Sequence, residues 1–559
     1  MDEENEPSTH DNKKRKSEFI DPSDSESSWS CPSSYSDDSE DEEDDDDDGV
    51  DYDDDEDSED DWVDTAGPRE PFPAHNQGII HKDFGENPTP KDIFDHFFPQ
   101  ELVELIVNET NKYANRHIKL QRKRTEKSWT DTNPDEIRVL LALIILQGIV
   151  VKPSFHMYFS RSKIIETPFF NEVMNRNRFN LLMAFLRFNK KQQRFQSNSN
   201  YDLFQIKPVL DILSERWQST YTPERDVSID ESLLLWKGQF KWKVYIPRKR
   251  NRLGIKLYKL CESSTGYVCN LMIYSGDKTD IPDKIHDIDL KYFGKPAQIV
   301  LTLMDSLLNQ GHRLYVDSFY ASPKLFDVLV EKKTDAIGTV RCNRKGMPKK
   351  LMLRKDAVAA YYRKKLMALK WVSKREVYML STVHDDSMKT SSNNSKHLVT
   401  KPKVIFDYNS GMGGVDLSDQ QIANYSLAKK KTTKCYIKMF RHLLDIAILN
   451  SFIIYKKCGH NIRHLKFRLE LIEDLIDHHL RRTCKKIKTG KSVKRDISLR
   501  LVGKHFHSYI SQSAGHVYRR CIVCSANHIR KQSKWWCRQC GVALCVIPCF
   551  EIFHTKEDF

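Results

Sequence analysis

The chain has 559 residues, with 89 Lys/Arg against 78 Asp/Glu and a net charge of +11, a length that leaves room for two to four domains and a sizeable core. No run of eighteen apolar residues occurs, and the opening MDEENEPSTHDNKKRKSEF lacks the apolar stretch of a secretion leader, so neither a membrane partner nor export is expected. Six of the thirteen cysteines fall within residues 521–549, which argues for metal ligation in a reducing compartment and against a disulfide framework.

The net charge hides a split. Residues 1–70 carry 5 Lys/Arg and 31 Asp/Glu, whereas the remaining residues carry 84 against 47, a net of +37. A body that basic predicts a polyanionic partner, and nucleic acid fits best because phosphate neutralisation supplies most non-specific affinity. Residues 1–88, with the block DEEDDDDDGVDYDDDEDSEDD, are expected to form a disordered acidic arm that buries too little to offset the entropy of ordering. Within it Lys13, Lys14, Arg15 and Lys16 read as a nuclear import signal.

Residues 89–225 read as helices. TPKDIFDHFF repeats its apolar residues at helical spacing, and Asn133, Pro134 and Glu136 supply a cap, a first-turn proline and the third position of a capping box ahead of the apolar IRVLLALIIL. Residues 226–342 then run strand, strand, strand, helix, strand, helix, strand. That order predicts an α/β RNase H-like core. Asp230 in VSID and Asp317 in LYVD each end an apolar run, where the chain should leave the sheet. Two short carboxylates on neighbouring strands would form half of a divalent-metal site, since Mg²⁺ takes only oxygen ligands and a pair of ions about 3.5–4 Å apart can clamp both oxygens of a phosphodiester exchange.

Cations are dense beside this core: Lys237, Lys241, Lys243, Arg248, Lys249, Arg250 and Arg252 lie between its first strands, interleaved with Trp242 and Tyr245. They would draw a polyanion to carboxylates that otherwise repel it. Residues 343–402 are expected to leave the core as a small insertion domain, with Arg344, Lys345, Lys349 and Lys350 as phosphate contacts. Residues 403–425 return through GMGGVDLSDQ, where Asp416 and Asp419, three apart at the start of a helix, share one face. Residues 426–500 supply further helices, preceded by Lys429, Lys430, Lys431 and Lys434, and should pack with residues 89–225 as one interrupted helical domain. A linker is expected at 501–517.

The final segment, 518–559, carries the sharpest local signal. Cys521-x2-Cys524 and Cys537-x2-Cys540 are paired knuckles of the kind that present two thiolates to one tetrahedral zinc, with Cys545, Cys549 and His554 following. Two ions need eight ligands, and His528 is the expected eighth. The pairing is left open: Cys521 and Cys524 close with the Cys545 region, or the order is otherwise crossed. Arg519, Arg520, Arg530, Lys531 and Lys534 surround the knuckles as candidate DNA contacts.

In combination, SIDESLL, YVDSFYASPKL, IGTVRCNRKGMP and YNSGMGGVDLSDQ resemble the piggyBac-type transposases over roughly residues 90–559. The resemblance implies that Asp230, Asp317 and Asp416 are a metal-binding triad, with Asp419 a further acidic position of the site, holding two Mg²⁺ or Mn²⁺ ions. It also implies cut-and-paste transposition through hairpinned ends at TTAA targets, by a homodimer or higher oligomer acting in the nucleus on double-stranded terminal inverted repeats, with no small-molecule substrate. A C-terminal cross-braced domain with two zinc ions per chain would read the transposon end, although the family's CxxH and final CxxC are replaced here by Cys545-x3-Cys549-x4-His554. Two other readings compete: an inactive, host-adopted DNA or chromatin-binding protein, and a plain RNase H-like nuclease that cleaves without joining.

Overall fold

The computed structural model describes residues 61–556 apart from 68, 122–128, 190–200, 239–241, 247–251, 277–278, 355, 393–397, 430–431, 487–504 and 511–517. The acidic run up to residue 60, Lys13 to Lys16, Lys241, Arg248, Lys249, Arg250, Lys430 and Lys431 lie outside the described residues. The main helices are α1 (Pro90–Phe97), α2 (Gln100–Gln121), α3 (Pro134–Ile149), α4 (Tyr201–Thr220), α5 (Gly414–Ala423), α6 (Cys435–Lys457) and α7 (His464–Lys486).

Caps set the helix starts. Before α1, the Thr89 hydroxyl accepts from the Asp92 amide while the Asp92 carboxylate accepts from the Thr89 amide at 2.9 Å, and Pro90 fills the first helical position. Before α3, the Asn133 side chain accepts from the Glu136 amide at 3.0 Å. Glu136 does not reach back to complete a box. Its carboxylate is taken by Arg178 Nε and Nη2 at 2.7 and 2.6 Å, a bidentate pair that ties α3 to the helix Arg176–Phe185.

The two helical segments form one packed unit. Helix α7 packs on α3, and α6 packs on α1 and α4. From Cys435 to Tyr455 every residue of α6 is buried, as a helix surrounded on all sides requires. Phe440 stacks on Phe188 at 4.5 Å and meets Phe98 edge-on, and Asn450 clamps the core sheet by donating to the Val268 carbonyl and accepting from the Val268 amide at 2.9 and 3.0 Å.

The core is a nine-stranded sheet of β1 (Asp226–Leu235), β2 (Val244–Tyr245), β3 (Leu253–Glu262), β4 (Val268–Ile273), β5 (Arg313–Val316), β6 (Asp335–Thr339), β7 (Val358–Arg363), β8 (Leu366–Val372) and β9 (Glu376–Ser381). The order is β7-β8-β9-β6-β5-β1-β3-β2, with β4 also paired to β3. Strands β6, β5 and β1 run parallel and the remaining pairings are antiparallel. The insertion therefore does not leave the core as expected: β7 to β9 extend the same sheet, because β9 pairs along β6 through Ile337↔Ser381.

Residues 61–80 also depart from the expected disorder and run as a strap along that extension. Val63 exchanges two backbone hydrogen bonds with Tyr362, covering the outer edge of β7, while the Trp62 indole donates to the Gly346 carbonyl at 3.2 Å. The Phe72 amide donates to Asp335 Oδ2 at 2.9 Å. Asp335 is fully buried and is neutralised by Lys365 and Arg225. The Lys365 ammonium sits 3.2 Å over the Phe72 ring. Gly311, at φ +75°, admits the chain, since a Cβ there would lie 2.0 Å from the Pro73 carbonyl oxygen. No periodicity marks this segment; its order comes from tertiary partners up to about three hundred residues away.

Candidate functional site

Strands β1 and β5 pair in parallel through Asp226↔Arg313, Val227↔Leu314 and Ser228↔Tyr315, and then separate. Continuing that register brings Asp230 beside Asp317, the residue that follows β5. Asp230 does not close its strand as expected, because β1 runs five residues further. The chain instead parts from one neighbour, β5, while staying paired with the other, β3, so the carboxylate faces the gap.

Asp230, Glu231 and Asp317 each present a carboxylate oxygen within 4.8 Å of the others. Asp317 Oδ1 accepts from the Phe319 amide at 3.1 Å, and Glu231 accepts from the Tyr320 hydroxyl and pairs with Lys256, both at 3.1 Å. Burial, with the neighbouring Glu231 charge added, pushes the Asp317 carboxyl up to about 6. Such crowding of oxygen donors suits a hard divalent cation, which would relieve the repulsion. Sequence reasoning missed Glu231. Its signal was a second acidic residue directly after Asp230, ahead of the apolar run Leu233–Leu235.

Helix α5 lies on the face of β1 that carries Ser228, Asp230 and Ser232. The approach is close: a Cβ at Gly414 would meet Ser228 Oγ at 2.6 Å and the Glu262 carbonyl oxygen at 2.9 Å. Further along α5, Asp419 accepts from Ser232 Oγ at 2.7 Å and from Lys259 Nζ at 2.6 Å. Burial opposes its ionisation, but Lys259 and Ser232 hold the carboxyl below its ordinary range. Asp416 stands exposed in the first turn of α5, outside the three-acid group.

The expected phosphate contacts fall into two sets. Lys237, Arg252, Lys345, Lys349, Lys350, Arg519, Arg520, Arg530, Lys531 and Lys534 are exposed, and Lys243 is half-buried. Three others hydrogen-bond to backbone carbonyls of the chain itself, Lys429 while remaining exposed. Arg344 donates to the Ser318 and Phe319 carbonyls at 2.8 and 3.2 Å, bracing the loop after Asp317. Lys429 donates to the Ala423 carbonyl at 2.6 Å, and Lys434 to the Ala184 carbonyl, its pKa lowered to about 8 by burial and Arg187.

The cysteine-rich end forms two groups of four. One is Cys521, Cys524, Cys545 and Cys549; the other is Cys537, Cys540, His554 and His505. In the first, Cys524 Sγ lies 3.8 and 3.5 Å from the Cys545 and Cys549 sulfurs, close to the edge of a tetrahedron with Zn–S bonds of about 2.3 Å. In the second, His505 Nδ1 lies 3.5 and 3.4 Å from the Cys537 and Cys540 sulfurs, and His554 Nε2 lies 3.5 Å from Cys540. The Phe550 carbonyl accepts from His554 Nδ1 at 2.7 Å, which fixes the tautomer and frees Nε2 for a metal. Both donor sets fit zinc. The expected ligand His528 is corrected: it is exposed, at φ +60° after a short helix, and belongs to neither group. His505 takes that place from within the stretch read as linker, carried in by the strand His507–Tyr509, which pairs with Trp535–Cys537.

A mixed sheet with paired carboxylates where β1 leaves β5, and a helix laid across the same face, is the nuclease layer of the RNase H-like class. Comparison with known proteins agrees. The family described as Transposase IS4 matches residues 89–452. Human PiggyBac transposable element-derived protein 3 is 25% identical over 84% of this chain and 76% of its own length, and human PiggyBac transposable element-derived protein 2 is 25% identical over 66% and 62%. The human chimeric ERCC6-PGBD3 protein shares 25% identity over 84% of this chain but only 43% of its own length. Among solved structures, the piggyBac transposase synaptic complex with hairpin DNA superposes with a TM-score of 0.63 at 24% identity, covering 85% of this chain and all of that one. The chain belongs to this transposase family and is of the piggyBac type. Among the described residues, no helix is long and apolar enough to cross a membrane.

Proposed function

We propose that this chain is a cut-and-paste DNA transposase whose active site is built on Asp230 and Asp317, with Asp416 completing it from α5. The observation that carries the reading is the parting of β1 from β5, which sets two carboxylates side by side on the face where α5 docks. Mg²⁺ or Mn²⁺ ions held there would polarise the scissile phosphate and lower the pKa of an attacking water or 3′-hydroxyl. Asp230 and Asp317 supply the oxygen ligands, and Glu231 adds a third carboxylate that Tyr320 and Lys256 keep oriented. Arg344 keeps the loop after Asp317 from moving. No protein nucleophile is required, because water cuts the first strand and the freed 3′-hydroxyl attacks the next phosphodiester.

The resemblance supports hairpinned ends, TTAA targets, two transposon ends held by at least a dimer, and action in the nucleus. The zinc-type domain, with Arg519 5.8 Å from the Trp536 ring and Lys534 5.3 Å from the Tyr509 ring, suits recognition of those ends.

The test is a cleavage and strand-transfer assay on paired inverted repeats bordered by TTAA, with Mg²⁺ or Mn²⁺. The parent chain is expected to cut and join, and Asp230→Ala to lose about a thousandfold or more in both steps. Equal activity of the two would remove the carboxylate site. Cutting without joining would favour the plain nuclease, and DNA binding without cutting the host-adopted protein.

A further inference from the structure

Lys259 is a lysine on a core strand with no exposed side-chain surface, and its partner is Asp419 on α5. Both Asp419 oxygens are engaged from the sheet side, Oδ1 by Lys259 Nζ at 2.6 Å and Oδ2 by Ser232 Oγ at 2.7 Å. Lys259 stands directly across from Asp230 in the β1–β3 register, and Ser232 is two residues beyond Asp230 on the same face. We propose that Lys259 and Asp419 form a positioning pair that docks α5 on the active-site strand, so that Asp419 sets the place of Asp416 and is not itself a metal ligand. The proposal rests on the transposase reading and deepens it.

Three features carry it. A buried ammonium needs a carboxylate partner, and Asp419 is the one that pairs with it among the described residues. A divalent cation taken by the same carboxylate would be held against that ammonium, repelled across a short, poorly screened gap. Finally, α5 meets β1 at two points, Gly414 against Ser228 and Asp419 against Ser232. Two points on one helix fix both its height along the strand and its rotation. Asp416 lies three residues before Asp419 and two after Gly414, between the contacts, so its direction follows from them.

The experiment compares Lys259→Met, Asp419→Asn and the double variant in the full chain, reading Mn²⁺ bound per chain by electron paramagnetic resonance, the Mn²⁺ concentration for half-maximal cleavage, and the cleavage rate at saturating Mn²⁺. Asp419→Asn strands the buried Lys259 ammonium and Lys259→Met removes the cation that holds the half-buried Asp419 on the sheet, and each single change is expected to slow cleavage by about a hundredfold. The double change removes both charges and is expected to recover at least about tenfold over either single variant, with Mn²⁺ count and half-saturation within about twofold of the parent. A double variant that binds fewer Mn²⁺ ions, needs about tenfold more Mn²⁺, or recovers no rate overturns the proposal, since a lost ligand cannot be restored by removing a lysine. If the single variants fail to fold, the Mn²⁺ count and half-saturation of the double variant decide alone. A parent chain that binds Mn²⁺ yet neither cuts nor joins DNA removes the transposase reading, and the Mn²⁺ count of the double variant still decides this one.

Discussion

His464 begins α7 with its ring stacked on Phe452 at 4.6 Å, edge-on to Tyr425 at 5.5 Å, and with Nε2 accepting from Arg468 Nε at 3.1 Å. That acceptor role needs the neutral ring. Burial, aided by the Arg468 charge, lowers its pKa to about 3, against about 6.5 in an unfolded chain. The stability tied to this residue is therefore complete above pH 6.5 and is lost as pH falls toward 3, by about 1 kcal/mol per pH unit. Thermal unfolding measured from pH 7 to pH 4.5 should show a shallower acid limb in His464→Gln than in the parent; superimposable limbs would refute the assignment. The same scale governs the zinc sites. His505→Ala should leave about one zinc ion per chain by metal analysis, and His528→Ala about two. The CxxC knuckles were legible because both ligands of each pair lie within one turn. His505 was not, because it lies sixteen residues before Cys521 and reaches its site only through the register His507↔Cys537.

At the level of elements, the docking of α5 decides whether the acidic residues meet. Gly414→Ala would drive a methyl group into Ser228 Oγ and the Glu262 carbonyl, and is expected to cost about 1–3 kcal/mol and to slow DNA cleavage. Gly413→Ala, with nothing within 4 Å of its new Cβ, serves as the control and should unfold with the parent. Helix and strand types in the core followed from periodicity, and the cap at Asn133 from the proline and glutamate that follow it, whereas the box at Thr89 emerges only in the structure. Two features did not. Asp230 reads as a strand end because it closes the apolar run VSID, whereas the structure continues β1 past it to Leu235. The insertion reads as a separate module because its charge and spacing differ from the core, yet β9 finds a free edge on β6, and edge pairing depends on backbone groups that carry no sequence signature.

Across the whole molecule, the strap and the helical unit both join distant parts of the chain. Compared with a chain lacking residues 1–60, one lacking 1–75 uncovers the edge of β7 and strips the Phe72 amide from Asp335, lowering the midpoint by a few degrees. Equal midpoints for the two truncations would show that the strap adds nothing. Such long-range order is invisible to local reading, since Trp62 and Phe72 gain meaning only from Gly346, Asp335 and Lys365.

The helical unit carries a cost that appears only during synthesis. Its last two helices, α6 and α7, are made after the whole nuclease layer, so α1, covered by α6, and α3, covered by α7, leave the ribosome more than two hundred residues before their apolar partners. At about 5–20 residues per second, that interval lasts some tens of seconds, during which the newborn chain shows uncovered hydrophobic stripes to solvent. Until those helices arrive the unfinished half is prone to aggregate, a hazard set by the order of the chain and not by the stability of the finished fold.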